Sequence, residues 1–508
     1  MSTFTAANPR TGGVGRSFAD AAPDQVTSAA RRAAEAFEHL RRTEARQRVP
    51  LLQAAADALD AAAADAVAVA DRETALGEER LRGEVARTTG QLRAFADVLD
   101  EGSYVEAVID HARPDPAPPR PDLRRMLIPL GPVGVFSASN FPFAFSVAGG
   151  DTASALAAGC SVVVKAHPSH PETSELVFDV LSRALAEAGA PQGTLQLIQG
   201  AGNQVGEALV MAPEIKAIGF TGSTRGGRAL YDLAATRAEP IPVYAEMGSV
   251  NPLFVTERAL RERLEQLAEG YVQSMTLGNG QFCTKPGLAF VPEGRLGEEF
   301  VSRVAEAAER TKGVAMLNRR MRDALAQQVE RTSGLPGVRK LTGGGAPPSE
   351  PGFLYPTTVM TCDAATFRRT PELCEEHFGP FALVVTYASK SEMLELARGI
   401  QGNLTATIHA GAGEAASLPD LTDALRERAG RLLWNGYPTG VAVTHAMHHG
   451  GPYPATTISL HTSVGSTAIK RFLRPVTYQN YPTELLPPAL QEANPLGILR
   501  LVDGEWTR

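Results

Sequence analysis

Between positions 133 and 221 the chain alternates short, β-branched apolar runs with stretches of helical periodicity, and no other feature restricts its fold as much. Strands are predicted over 133–136, 161–165, 195–199 and 217–221, with helices over 149–158, 171–188 and 204–211 between them. Strands joined through helices run parallel, because a right-twisted strand feeding a right-handed helix packs back onto its own sheet in only one sense. The fold class expected is therefore α/β, with an open parallel sheet covered by helices and any dinucleotide lying outside the carboxyl ends of the strands.

Upstream, residues 23–101 are alanine-rich and helical. Val49, Leu51, Leu52, Ala55 and Leu59 fall on one face at three-to-four spacing, which predicts an outer helical layer. Pro114, Pro116, Pro118, Pro119 and Pro121 crowd the segment 111–121, so an extended connection is expected there, followed by a strand in the apolar run 126–135. A chain of 508 residues exceeds the roughly 250–300 at which one core usually divides, so at least two domains should form.

Composition removes several classes of function. The formal net charge is -7 and no basic tract is present, which argues against a nucleic-acid surface. No leader pattern opens the sequence, and no apolar stretch approaches the roughly 18 residues that span a bilayer, so no membrane partner is expected. Cys160, Cys283, Cys362 and Cys374 have neither paired spacing nor a CxxC, which indicates a reducing, cytoplasmic setting rather than a disulfide framework or zinc knuckle. His445, His448 and His449 lack a spaced carboxylate and read as packing or cofactor-proximal residues; no metal is expected.

The chemistry is carried by Cys283, in Gly-Asn-Gly-Gln-Phe-Cys-Thr-Lys at 278–285, preceded by Glu246 in Tyr-Ala-Glu-Met-Gly-Ser. A thiol and a carboxylate base suit covalent chemistry on a carbonyl carbon, with water activated by the carboxylate to release an acyl group. The usual GxGxxG is missing after the first strand. In its place Phe220-Thr221-Gly222-Ser223-Thr224 leads from a strand into a helix start where backbone N–H groups can approach a pyrophosphate, and Lys165 ends a strand as a cation for ribose or phosphate. Phe141, Phe143 and Phe145 alternate, as tunnel lining or as core.

In this order the motifs resemble the aldehyde dehydrogenase superfamily over nearly the whole chain. Ser139-Asn140-Phe141-Pro142, Val164-Lys165, Phe220 to Thr224, Glu246-Met247-Gly248-Ser249, Gly280 to Cys283 and Glu375-Glu376-His377-Phe378-Gly379-Pro380 carry the likeness. The resemblance implies Cys283 as nucleophile, Glu246 as general base and the Asn140 amide as oxyanion donor, with Glu376 and Phe378 at the nicotinamide ribose. A thiohemiacetal, then a thioester hydrolysed to the free acid, would follow. Where NAD-preferring relatives place a glutamate, this chain has Pro168, so NADP is the expected cofactor, held by Lys165, His167, Ser169, Gly222 and Ser223, with NAD also admitted.

The segments Lys-Ala-His-Pro-Ser-His-Pro at 165–171, Asn-Gly-Tyr-Pro-Thr-Gly at 435–440 and His-Gly-Gly-Pro-Tyr-Pro-Ala-Thr at 449–456 are similar to the α-ketoglutaric semialdehyde (2,5-dioxopentanoate) dehydrogenase branch. That likeness implies oxidation of 2,5-dioxopentanoate to 2-oxoglutarate. The alternatives are a medium- or long-chain aliphatic aldehyde, a thioesterase-like hydrolase without hydride transfer, and, outside enzymes, a dinucleotide-binding redox sensor built on Cys283. The architecture implied is a Rossmann-type cofactor domain over 1–245 with an oligomerisation hairpin near 111–126. A catalytic domain over 246–437 follows, and 438–508 returns to the cofactor domain and an oligomerisation segment, giving a homodimer or homotetramer.

Overall fold

A computed structural model describes residues 2–115, 117–311, 313–344 and 351–508, so Pro116 of the proline-crowded connection lies outside the described residues. The predicted alternation forms one five-stranded parallel sheet in the order Leu195–Ile198, Val162–Lys165, Val133–Phe136, Ala217–Thr221, Val243–Glu246. Its central strands are short and apolar up to their carboxyl ends because helices cover both faces: Val162, Val163 and Val164 are fully buried. The crossovers are the helices Gly150–Ala158, Pro171–Glu187, Asn203–Met211 and Thr224–Ala235.

A seven-stranded sheet occupies the second half of the chain. Its order is Arg339–Thr342, Thr358–Asp363, Phe381–Tyr387, Leu288–Pro292, Leu253–Val255, Asn403–His409, Ala429–Trp434, and only its first strand is antiparallel to its neighbour. Its strands place Leu288, Phe290, Leu383 and Val385 in one core and Ala289, Val291, Ala382 and Val384 in another, as the period of two requires.

The run 126–135 is not one strand. Leu123–Pro129 pairs antiparallel with Leu473–Gln479, whereas Val133–Phe136 belongs to the parallel sheet. Pro129 and Pro132 lack donors, and Gly131 between them takes φ +142°, so the chain leaves one sheet for the other there. The sheet holding Leu123–Pro129 has the order Leu473–Gln479, Leu123–Pro129, Val108–Asp110, Arg500–Val502, Glu505–Thr507, and joins the 108–129 region to the last strands of the sequence. The proline-crowded segment folds back on itself, with Arg113 and Arg120 bridged.

Four helices fill 23–101. On Ala45–Ala61 the predicted face is buried at Val49, Leu52, Ala55 and Leu59, with Leu51 at its margin. The layer is not simply outer, because the helix Glu78–Glu101 buries polar Glu84, Thr88, Thr89 and Gln91 along with its leucines. No helix among the described residues is long and apolar enough to cross a membrane.

Candidate active site

Glu246 ends the last strand of the parallel sheet, and Cys283 follows a left-handed turn in which Gly278, Asn279 and Gly280 have φ of +58°, +61° and +69°. A Cβ on Gly280 would lie 2.4 Å from the Gly379 carbonyl carbon and the Pro380 nitrogen, so a glycine lets the nucleophile loop press against the 376–380 segment. Asn251, buried and also left-handed at φ +48°, donates its amide to the carbonyls of Cys283 (2.7 Å) and Lys285 (3.0 Å). Ser249, which replaces a glycine of the base motif, is anchored through its hydroxyl to Asn251 Oδ1 and Asn403 Oδ1.

The centre of the site is a group of three. His449 Nε2 lies 3.0 Å from Glu246 Oε1 and 3.5 Å from Cys283 Sγ, and the Ser463 hydroxyl donates to Glu246 Oε2 at 2.7 Å. Burial alone raises a carboxylic acid's pKa; at Glu246 the charge of His449 and hydrogen bonds from His449, Ser463 and Cys283 outweigh it and hold the pKa below the ordinary value. Cys283 goes the other way: burial, then the Glu246 carboxylate and Glu376, push its thiol well above the usual range, and Arg87 opposes them. The resting pair is thus a thiol beside a carboxylate, with an imidazole in contact with both. The three donor atoms lie within 4.8 Å of one another, and thiolate, imidazole and carboxylate are also zinc ligands.

Asn140 is buried, and its side-chain amide donates one hydrogen to the Gln281 carbonyl at 2.7 Å, leaving the other for a substrate oxygen. Glu375 is exposed while Glu376 turns inward, where its charge acts on Cys283. Burial raises the Glu376 pKa, Lys285 opposes and Glu246 adds to it. Lys285 is itself buried and donates to the carbonyls of His377 (2.7 Å) and Phe381 (3.0 Å). Phe378 is half-buried in the same segment.

Lys165 ends its strand partly exposed; burial pushes its pKa down to about 8 against the charge of Asp20. The His167 pKa is driven well below its usual value by burial, His170, Lys165 and Arg320, so the ring is neutral, and its Nδ1 accepts the Ser169 N–H at 3.1 Å. Ser169 is buried with its hydroxyl accepting from Asn318 at 2.8 Å. Gly222 and Ser223 sit exposed at the start of the helix Thr224–Ala235, whose N-terminus Ser223 caps by accepting from Gly226 N–H at 3.2 Å. A Cβ on Gly222 would meet the Phe220 ring at 2.6 Å. The structure thus brings Cys283, Glu246, Asn140 and Glu376 to one centre. Lys165, Gly222 and Ser223 lie at the carboxyl ends of the parallel strands, and Ser169 points its hydroxyl at Asn318 instead.

Of the alternating phenylalanines, Phe143 is core, whereas Phe141 stacks edge-on against Phe145 (5.3 Å) and Phe282 (5.1 Å), next to the nucleophile. Sequence reasoning missed Ser463, Asn251 and Lys285, and read His449 only as a packing or cofactor-proximal residue. Their signals were slight: a polar residue in a glycine-rich segment for His449, and a lysine two residues after the thiol.

The aldehyde dehydrogenase family model matches residues 1–473. Alpha-ketoglutaric semialdehyde dehydrogenase 2 of Azospirillum brasilense is 46% identical over 96% of this chain and 93% of its own length. The alpha-ketoglutaric semialdehyde dehydrogenase of Acinetobacter baylyi is 43% identical over 97% and 93%. Among solved structures, PnpE in complex with nicotinamide adenine dinucleotide superposes with a TM-score of 0.80 at 22% identity, covering 94% of each chain. Lactaldehyde dehydrogenase from Escherichia coli gives 0.81 at 22% over 94% of this chain and 96% of that one, which speaks to the fold.

Proposed function

The chain belongs to the aldehyde dehydrogenase family, an oxidoreductase that turns an aldehyde into its acid with NAD(P), and on that premise we propose 2,5-dioxopentanoate as its substrate and 2-oxoglutarate as its product. The observation that carries the chemistry is the convergence of Cys283 Sγ, His449 Nε2 and Glu246 Oε1 beside the Asn140 amide. The substrate rests on the names of the two relatives above and on cationic side chains close to the thiol.

Because Cys283 rests as a thiol, its proton must leave as sulfur attacks; the Glu246 carboxylate, hydrogen-bonded to the thiol, is the acceptor, since the His449 nitrogen in contact with both already donates to Glu246. The C–S bond forms as the carbonyl oxygen becomes an oxyanion, for which the free Asn140 N–H and the Cys283 backbone N–H are the donors. Bound NAD(P) supplies the hydride acceptor. Glu246, kept ionised by His449 and Ser463, then draws a proton from water, which attacks the thioester carbon and releases the acid and the thiol.

The protein's own residues fit a dinucleotide: an exposed capped helix start with close-packed Gly222, a strand-end Lys165, and inward Glu376 positioned for ribose hydroxyls. For the 2′-phosphate of NADP, Lys165 and nearby Arg320 are the cations; Asp20 tempers that preference, and NAD remains usable. The division into a cofactor part over 1–245, a catalytic part over 246–437 and a returning segment over 438–508 belongs to the same reading, as does a homo-oligomer. Four unpaired thiols suit a reducing, cytoplasmic compartment.

A second reading, an uncharged aliphatic aldehyde, is favoured by the wall of Phe141, Phe145 and Phe282. Rates of reduced-cofactor formation with 2,5-dioxopentanoate, hexanal and a long-chain aldehyde, each with NADP and NAD, decide between them. A higher kcat/KM for the dicarbonyl acid is expected; a higher value for hexanal would replace the substrate and leave the chemistry.

A further inference from the structure

One face of the helix Glu78–Glu101 is polar yet turned inward. Arg80, Glu84, Arg87 and Gln91 follow one another at four-, three- and four-residue steps, so they form a single stripe. Glu84 is buried and its Oε1 accepts the N–H groups of Phe143 (2.8 Å) and Ala144 (3.0 Å), which fixes the stripe against the loop that carries Asn140.

The two arginines lie over the aromatic row that ends at the nucleophile. Arg80 sits 5.1 Å from the Phe141 ring centre and 4.7 Å from that of Phe282, the residue before Cys283; its Nη2 donates to the Asn140 carbonyl at 2.6 Å. Arg87 sits 5.4 Å from Phe145, whose ring lies 6.3 Å from that of His449. Among the described residues Arg87 makes one long hydrogen bond, Nε to the Val441 carbonyl at 3.4 Å. Three buried donor atoms, Arg80 Nε, Arg80 Nη1 and Arg87 Nη1, have no hydrogen-bond partner among the described residues.

Bare buried donors on a guanidinium are costly, and a planar fork with free N–H groups is the shape that grips a carboxylate. Charge leads to the same conclusion. Glu376 faces Lys285, Glu246 is held by His449 and Ser463, and Glu84 alone lies between Arg80 and Arg87. Arg431, whose Nη2 donates to the Pro438 carbonyl at 2.6 Å, adds another cation near the thiol. Positive charge is left over beside Cys283.

We propose that Arg87, assisted by Arg80, seats the carboxylate of an ω-oxo acid substrate, with the aromatic row holding its carbon chain and the aldehyde carbon delivered to Cys283. This rests on the semialdehyde reading and makes Arg87 the residue that separates charged from uncharged aldehydes. A structural role alone would leave that separation untouched.

The test is the ratio of kcat/KM for 2,5-dioxopentanoate to that for pentanal, with succinic semialdehyde against butanal as a second pair, in the wild type, Arg87→Met and Arg87→Lys. Losing a charged hydrogen-bonded partner predicts that the ratio falls about 10- to 100-fold in Arg87→Met, carried mainly by KM, with Arg87→Lys between. Equal losses on charged and uncharged substrates would overturn the proposal. Should Arg87→Met not fold, an unchanged ratio in Arg87→Lys overturns it equally, since a lysine keeps the charge and loses the fork. A wild type faster on pentanal than on 2,5-dioxopentanoate defeats the semialdehyde reading instead. The clamp is then judged on the succinic semialdehyde pair, where an unchanged ratio in the variants refutes it.

Discussion

At the residue scale, the site separates two jobs for one carboxylate and its neighbour. Glu246→Gln keeps the size of the side chain and removes the base. Steady-state turnover is therefore expected to fall about 10²- to 10⁴-fold, and the first burst of reduced cofactor in stopped-flow traces to slow with it. His449→Gln removes the partner that holds Glu246 ionised and should move the acid limb of the pH–rate profile to higher pH. A Glu246→Gln enzyme with an undiminished burst would confine the carboxylate to hydrolysis of the thioester. His377, two residues before the glycine that touches the nucleophile loop, gives a pH test. It is stacked on Phe381 at 3.8 Å, lies 2.8 Å from the Thr332 hydroxyl, and burial pushes its pKa from 6.5 down to about 3. A depressed folded-state pKa means that this stability is fully present above pH 6.5 and is lost as pH falls toward 3. The loss is on the order of 4 kcal/mol. Urea midpoints of wild type and His377→Gln at stepped pH should converge as the solution is acidified.

At the element scale, the parallel sheet was legible because its strands are continuous apolar runs bounded by glycine, proline or polar turns, and the helices between them differ from prediction by only a residue or two at their ends. The break at 130–132 was not read, since apolar character runs through it and the prolines mark a change of sheet only once partner strands are known. The inward polar stripe on Glu78–Glu101 was missed for a similar reason: at helical spacing, arginine and glutamate pass for a solvated face. One long-range pair holds the crossover helix Gly150–Ala158 in place, Arg471 Nη2 to Asp151 Oδ1 at 2.6 Å, with the two side chains only 4% and 10% exposed. Asp151→Ala leaves a buried unpaired guanidinium and is expected to cost about 3–5 kcal/mol, read from chemical denaturation. A loss within experimental error would show that water takes over the arginine.

At the scale of the whole molecule, the third sheet ends in Leu473–Gln479, an edge strand whose residues are mostly exposed and which tolerates Pro475. Trp434 and Trp506 are the only tryptophans, and both are 45% or more exposed in the single chain. A homo-oligomer built on these surfaces predicts a sedimentation mass of at least twice that of one chain, and a red shift of tryptophan emission when it is diluted into its subunits. A monomer in sedimentation would overturn that assembly.

The sequence by itself determined the alternation that makes the parallel sheet and the order of six motifs, which carried the family, because both depend on residues near one another in the chain. The tertiary structure alone decided that His449 and Ser463, some two hundred residues from Glu246, hold its charge, and that Arg80 and Arg87 turn inward over Phe282 and Phe145. A pKa and a binding pocket are set by distance in space and by exclusion of water, and neither can be read from positions along the chain.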